Sequence, residues 1–336
     1  MAVEKRVRNI AELAELAGVT AGTVSRALSG KGFISEKTRE RIRALAEEHK
    51  FRPNVLAQKL RNQRTGAINV VIPLGHERGQ HISDPFFMAM LGRLADELTE
   101  RGYELILTRV VPDNADWLSQ IVSSGRSDGV ILIGQSTEAA TLDRVAAVYP
   151  PMVAWGGHYA GQRHCSVGTD NIIGGKLAAR RLIDQGCRQI AFFGDPSSIE
   201  IAQRLEGCQE ALAEAGVGGA LKVVPAPLAE EENAAEIDLF FEREAPPDGV
   251  VAASDVIAVN TLFALARRGV PVPEKVKVVG YDDLPIATRT TPRLTTIRQD
   301  ISAGAARLID CLFRRMAGEE TAAVVMAPQL IVRESA

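Results

Sequence analysis

"GVTAGTVSRALSG", residues 18–30, lies between two apolar runs and gathers small, polar and β-branched residues around one arginine. Gly18 can end the preceding segment in the left-handed conformation that glycine adopts freely. Thr20 can cap a second helix, in which Val24, Ala27 and Leu28 recur at helical spacing. The stretch therefore reads as a turn and a short helix. Its inner face is Val24, Ala27 and Leu28; its outer face is Ala21, Gly22, Ser25, Arg26 and Ser29. Upstream, Asn9 can cap a helix whose Ile10, Leu13, Ala14 and Ala17 fall at i, i+3, i+4 and i+7. Downstream, Ser35 can cap "EKTRERIRALAEEHK", whose Ile42, Leu45 and Ala46 would close a three-helix core before Pro53 breaks the helix. Two short helices across a glycine turn make a helix-turn-helix.

The outer face is low in bulk, which allows close approach to base edges. Arg26 carries the donor fork that fits guanine O6 and N7, and Ala21 can lie on a thymine methyl. Gly22 costs about 1 kcal/mol of helix propensity against alanine, so something other than helix stability favours it. A plain helical hairpin is the structural alternative. Charge adds a hint, with a solvated, charged helical surface as its own structural alternative: residues 1–64 hold 14 Lys and Arg against 7 Asp and Glu, net +7, whereas the rest holds 25 against 35, net −10. A basic head on an acidic body points to a polyanionic partner for the head. In "FRPNVLAQKLRNQRTG" (51–66), Asn54 can cap a helix too short to persist alone in water. Such a segment can fold on docking, with Leu60 as a wedge between base steps.

The chain of 336 residues is long enough for two or more domains and, at 46% hydrophobic, for ordinary cores. No apolar run reaches the roughly 20 residues of a membrane span, and the N-terminus has no apolar signal core, so the expectation is a cytoplasmic protein. Cys165, Cys187, Cys208 and Cys311 are widely spaced and read as reduced thiols. No metal or cofactor is expected.

From Ala67 onward, short apolar runs ("INVVIP", "YELILT", "GVILIG", "MVAW", "QIAFFG", "GVVAAS", "VKVVGY") alternate with helical stretches at 84–101, 113–124, 137–148, 170–185, 199–215, 230–244 and 254–268. That alternation means doubly wound parallel sheets with helices on both faces. "GAINVVIPLG" and "GCRQIAFFGD" each open a similar unit, so two lobes are expected, with ligand beyond the carboxyl ends of the strands. No phosphate loop, dinucleotide fingerprint, nucleophile elbow or zinc-protease motif occurs, so an enzyme finds little support. The candidate ligand residues follow strands or open helices. Phe86 and Phe87 follow a capping Asp84-Pro85; Gln135, with Ser136, follows a strand; Trp155 ends "MVAW"; Asp170 and Asp255 open helices; Arg204 lies within one. Each has a structural reading as core, cap or solvated charge.

These residues carry a resemblance. "NIAELAELAGVTAGTVSRALSGKGFISEKTRERIRALAEEHKFRPNVLAQKLR" is similar to the head of the lactose-repressor (LacI/GalR) family of bacterial transcription regulators. "DPFF", "GTDNIIGGKLAARRLIDQG", "DGVVAASDVIAVN", "VKVVGYDDLPIA" and "PRLTTIRQDI" resemble its ligand-binding core in order. The resemblance implies a helix-turn-helix head at 1–50, a hinge helix and linker at 51–65, and a periplasmic-binding-protein-like body at 66–336. Its N-lobe would be 66–167 and 292–321, its C-lobe 168–291 and 322–336, with crossings near 168, 291 and 322. It implies Thr20, Ala21, Gly22 and Arg26 as base readers and Thr23, Ser25 and Arg39 at phosphates. Asn54, Ala57 and Leu60 would form the minor-groove hinge. Phe86, Phe87, Arg204 and Asp255 match its ligand positions, and Gln135, Trp155 and Asp170 join them as candidates to hold a sugar effector from their places at strand ends and a helix start. It also implies a homodimer, formed partly along helix 84–101, on a pseudo-palindromic double-stranded DNA operator at the nucleoid. Ligand would most often relieve repression; a corepressor response is the alternative within the family, and a sugar transport protein the alternative outside it. "GHERGQHIS" (75–83) and "AWGGH" (154–158) depart from the family pattern near the cleft. "GQS" with "WGG" weakly resembles relatives that respond to α-glucosides.

Overall fold

The computed structural model describes residues 7, 9–29, 33–51, 64–75, 78–217 and 221–336, and the chain divides into two compact units, Met1–Thr65 and Gly66–Ala336. Asn54, Ala57 and Leu60 lie outside the described residues.

The first unit holds α1 (Ile10–Ala17), α2 (Ala21–Ser29) and α3 (Glu36–Glu48). Asn9 caps α1 by accepting from the Glu12 N–H at 2.9 Å, and Gly18 ends it at φ +59°. Thr20 accepts from the Thr23 N–H at 3.2 Å, and Ser35 caps α3. Leu13, Ala14, Ala17, Val24, Ala27, Ile42 and Ala46 are buried together, whereas Leu28 and Leu45 are half-buried at the rim. Arg41 ties α3 to α1 by donating from Nη2 to the Ala17 carbonyl at 2.7 Å. The end of α3 differs from expectation. Lys50 turns to φ +48° and the Phe51 N–H returns to the Ala46 carbonyl at 2.7 Å, so a left-handed cap with a buried Phe51 stops the helix ahead of Pro53.

The second unit contains two six-stranded sheets. The first runs β11 (Val324–Met326), β5 (Cys165–Thr169), β4 (Met152–Trp155), β3 (Gly129–Ile133), β1 (Ala67–Pro73), β2 (Glu104–Val110), all parallel. The second runs β12 (Gln329–Ile331), β10 (Thr295–Arg298), β9 (Lys277–Asp282), β8 (Gly249–Ala252), β6 (Ile190–Phe193), β7 (Lys222–Val224). It is parallel except for β12, which closes the edge antiparallel to β10. The central strands are buried along their lengths, as strands covered on both faces must be. The helices are α4 (Pro85–Glu100), α5 (Trp117–Ser123), α6 (Ala139–Ala146), α7 (Asn171–Asp184), α8 (Ile199–Glu214), α9 (Glu230–Arg243), α10 (Asp255–Arg267) and α11 (Ile301–Met316).

The lobe crossings fall later than 168, 291 and 322. β5 stays in the first sheet through Thr169. β10 belongs to the second sheet, where Thr295 pairs with Val279 and Leu294 and Ile297 enter the second core. β11 returns to the first sheet as Val324 pairs with Val167. Apolar burial of Leu294 and Ile297 holds the 292–298 segment in the C-lobe, and the chain crosses only after Arg298. Within the C-lobe, α7 and α8 meet at backbone contact. A Cβ at Gly175 would collide with the Arg204 carbonyl, and one at Gly207 with the Ile172 carbonyl. That close crossing sets Arg204 beside Asn171.

Candidate functional site

On the head, Thr20, Ala21, Gly22 and Arg26 are exposed on one side of α2, while Thr23 and Ser25 are half-buried. The Arg26 Nε donates to the Gly22 carbonyl at 3.2 Å, which lays the side chain along its own helix. Arg39 pairs with Glu36 at 3.0 Å, and its Nε is buried without a hydrogen-bond partner. An unsatisfied guanidinium nitrogen is an anion donor in waiting.

In the body, a cavity opens between the two sheets. The N-lobe gives it Pro73, Leu74, Phe86, Phe87, Ile133 and Trp155, with Gln80, Asp84 and Ser136 at the polar points. The Phe86 ring centroid lies 6.2 Å from those of both Phe87 and Trp155. Trp155 is braced from behind by α11, whose Gly304 leaves no room for a Cβ against the indole. Asp84 caps α4, accepting from the Phe86 N–H at 2.8 Å and from Gln80 Nε2 at 3.1 Å. Burial raises its pKa against those donors.

The C-lobe gives the cavity Ser198, Glu200, Arg204, Ser254 and Asp282, with Gln299 where the chain crosses. Arg204 is 7% exposed. Its Nε donates to Asn171 Oδ1 at 2.9 Å and its Nη1 to the Ala253 carbonyl at 2.6 Å. Its guanidinium lies 3.7 Å from the Tyr281 ring centroid, and the Tyr281 hydroxyl donates to the same Asn171 oxygen at 3.2 Å. Asp282 ends β9 at φ +121° and accepts from Gln299 Nε2 at 2.6 Å. Burial pushes its pKa up to about 7, with Arg204 and Gln299 opposing. Asp255 is held behind the wall. It accepts from the Leu284 N–H at 2.7 Å and the Thr296 hydroxyl at 2.6 Å. Burial first, then the nearby Asp282 charge, raise its pKa well above the carboxylate range. Two buried carboxyls that repel each other's charge favour one of them keeping its proton.

The structure thus gathers Phe86, Phe87, Trp155 and Arg204 on the cavity, and places three candidate residues elsewhere. Asp255 is fully buried, and its neighbour Ser254 lines the space. Asp170 caps α7 through the Ile173 N–H at 3.0 Å, and its neighbour Asn171 holds Arg204. Gln135 is fully buried, and its neighbour Ser136, at φ +52°, lines the space. Gln135 Nε2 instead donates to the Gly157 carbonyl at 2.6 Å and, across the lobes, to Glu200 Oε1 at 3.4 Å. The Gly157 N–H reaches the same carboxylate at 3.2 Å, and Gln203 Nε2 donates to the His158 carbonyl at 2.8 Å. A Cβ at Gly156 would strike Gln135 and Glu200, and one at Gly157 would strike Gln203. The unusual "AWGGH" is therefore a docking strip for the start of α8. Asp282, Gln80 and Gln299 were not among the sequence candidates. For Asp282 a signal existed, since "VVGYDD" ends a buried strand with two acids.

Among the described residues, no group of His, Cys, Asp and Glu is placed to hold a metal ion, and no helix is long and apolar enough to cross a membrane. The four cysteines are free and buried.

A helix-turn-helix unit joined to a two-lobed body with a cavity between its sheets defines a ligand-responsive DNA-binding regulator. Residues 9–54 match the model of bacterial regulatory proteins of the lacI family, and 179–336 match the periplasmic binding protein-like domain. The chain is 31% identical over 342 residues to the HTH-type transcriptional regulator CelR of Thermobifida fusca, covering 99% of this chain and 100% of the relative. The chain belongs to the lacI family of bacterial regulatory proteins, and with that membership it is a transcription regulator and not an enzyme. Among solved structures, a CelR–cellobiose complex matches at 29% identity and TM-score 0.70, covering 98% of this chain and 100% of that one. A lac repressor dimer bound to operator and the anti-inducer ONPF matches at 23% identity and TM-score 0.82, covering 98% and 99%, and shows the shared fold.

Proposed function

We propose that the chain is a homodimeric repressor whose grip on a pseudo-palindromic operator is set by a neutral glucose disaccharide held between the lobes. The carrying observation is one cavity with aromatic rings on one wall and an Arg204–Asp282 polar network on the other. A pyranose has the same two characters: C–H faces that lie on rings, and hydroxyls that both donate and accept. The cellobiose-bound relative supports this chemistry. Asp84, Glu200 and Asp282 outnumber Arg204 on the walls, so phosphorylated and acidic sugars are disfavoured.

In this reading Thr20, Ala21, Gly22 and Arg26 read bases, and Thr23, Ser25 and Arg39 meet phosphates. Residues 51–65, with Asn54, Ala57 and Leu60, form the hinge in the minor groove. Phe86, Phe87, Trp155, Arg204, Ser254 and Asp282 hold the sugar. The protein works in the cytoplasm on the nucleoid. Sugar shifts the head only through its differential affinity for two lobe arrangements.

The test is operator selection from random duplex DNA, then fluorescence anisotropy on the selected site with cellobiose, maltose, sucrose and glucose 6-phosphate. A selected pseudo-palindrome released by a disaccharide and not by the phosphate supports the proposal. Failure to select any DNA at low salt sinks it. Binding strengthened by sugar makes the chain a corepressor-type regulator instead. On the selected site, Arg26→Ala is expected to cost about 1–3 kcal/mol and relax one base position.

A further inference from the structure

A buried histidine completes the bridge between the lobes. His164, 3% exposed, stands just before β5. Its Nδ1 is 2.7 Å from Asp143 Oδ1 and its Nε2 is 2.8 Å from Gln135 Oε1. Donor and acceptor chemistry fixes what each contact is. Gln135 Nε2 is committed to two acceptors, the Gly157 carbonyl and the Glu200 carboxylate, so the amide cannot be turned round and its oxygen faces the imidazole. Asp143 also accepts the backbone N–H groups of Arg163 at 2.8 Å and His164 at 2.9 Å. Burial raises the Asp143 pKa, but these donors and the imidazole outweigh it and hold the pKa below the ordinary value. Both ring nitrogens of His164 therefore face acceptors. A neutral imidazole can donate from only one nitrogen; the charged form donates from both.

We infer that His164 is a positioning residue for the effector cleft: as an imidazolium it clamps Gln135, which in turn holds Glu200 of the opposite lobe, so lobe closure takes up a proton. The inference rests on the cleft being the effector site. Remove the proton, and the Nε2 lone pair faces the Gln135 oxygen, the amide loosens, and the cross-lobe contact to Glu200 weakens. The bridge is complete at acid pH and is lost as pH rises through the His164 titration, so effector affinity falls in the same direction.

The charged and titratable groups facing the ring are Asp143 from α6, Glu200 from α8, and His158 and Tyr159 from the strip after β4. Burial lowers the His164 pKa, and His158 adds to this. Asp143 and Glu200 oppose, and the balance lies below the ordinary histidine value. The response window accordingly lies on the acid side of an ordinary histidine's.

The test is histidine-nitrogen NMR of the full chain from pH 8 to pH 5, for the wild type, Gln135→Leu and Asp143→Asn. The expected wild type shows His164 passing to the form protonated on both nitrogens. Its midpoint should fall by one unit or more in each variant, about tenfold in proton affinity. A role in packing alone would change stability without moving that midpoint. Should the core substitution Gln135→Leu fail to fold, Asp143→Asn at the partly exposed end still decides. A wild-type His164 that keeps a single ring proton down to pH 5, or a midpoint unmoved in the variants, overturns the inference. Calorimetry with cellobiose then reads the coupling, with affinity expected to rise severalfold from pH 7.5 to pH 5.5 in the wild type relative to His164→Gln. Equal pH profiles in the two overturn the coupling. Absence of cellobiose binding at every pH rejects that sugar for the cleft and leaves the NMR midpoints to decide the bridge.

Discussion

The two walls of the cavity are built on different physics. On the N-lobe side, Phe87, Trp155 and Leu74 are buried side chains packed into the lobe's own core, and they meet the cavity as fixed apolar surface. On the C-lobe side, Arg204 is a buried charge held by Asn171 and the Ala253 carbonyl, and Asp282 is a buried acid held by Gln299. An apolar surface binds whatever is flat and apolar. A desolvated, pre-oriented polar network rejects any ligand that leaves it unpaired. Affinity should therefore be won or lost on the C-lobe wall, with the N-lobe wall adjusting it.

The largest expected effect is accordingly Arg204→Ala. Truncating one member of a buried charge network costs about 2–5 kcal/mol, at least thirtyfold in affinity. Calorimetry should show effector binding lost, while anisotropy shows operator binding intact without sugar. An Arg204→Ala protein that still released DNA at wild-type sugar concentration would remove the asymmetry altogether.

The two acids of the C-lobe come next, and pH separates them from the rest of the protein. Asp282 titrates near 7 in the fold, well above an ordinary aspartate. The native state then holds more protons than the unfolded chain between those values, so this residue's contribution to stability falls as pH rises from about 4 through 7. Asp282→Asn removes that slope. The variant should gain on the wild type by an amount on the order of 1–3 kcal/mol between pH 5 and pH 8, read as a widening gap in Tm. A gap that stays constant with pH would mean that Asp282 is not the strained member of the pair. The same variant is expected to weaken sugar binding, because it replaces a carboxyl on the C-lobe wall by an amide.

Glycines set how firmly each wall is seated, and they sharpen the contrast. A Cβ at Gly175 meets the Arg204 carbonyl, which is backbone and cannot step aside, whereas one at Gly304 meets the Trp155 ring, a side chain. Overpacking costs about 1–3 kcal/mol. Gly175→Ala should sit at the upper end in thermal unfolding and Gly304→Ala at the lower, and both should weaken sugar binding through the wall each supports. The reverse order would show α11 to be the stiffer backing.

Much of this was legible in the residues. Caps, glycine turns and alternating apolar runs placed the head helices, the two lobes and most of their strands. What escaped was a strand without an apolar run, a very short strand, or a side chain one residue away. β5 (CSVGT) and β10 (TTIR) carry too few large apolar residues to stand out. β7, β11 and β12 are 3 residues each, too brief to show a period. At three places the side chain at the cavity or on Arg204 belongs to the neighbour of the residue singled out: Ser136 beside Gln135, Asn171 beside Asp170, Ser254 beside Asp255. Strand-end side chains alternate faces, so a one-residue difference exchanges wall for interior. Pattern locates the strand end, but the local turn decides which residue looks outward. Asp282 at φ +121° and Ser136 at φ +52° both take backbone conformations that their residue types do not announce.

The smallest effect expected belongs to Phe86→Leu. Phe86 is the half-buried member of the aromatic wall, packed at its edge against the lobe core. Leucine keeps most of the apolar contact and loses the ring's pairing with Phe87 and Trp155, which is worth about 0.5–1.5 kcal/mol beyond area. Sugar affinity should fall about two- to tenfold, with Tm nearly unchanged and operator binding without sugar unaltered. Titrating the disaccharide into wild type and variant side by side decides the matter. Equal affinity would reduce this wall to excluding water. A loss as large as that of Arg204→Ala would place the recognition on the rings and reverse the division of labour between the lobes.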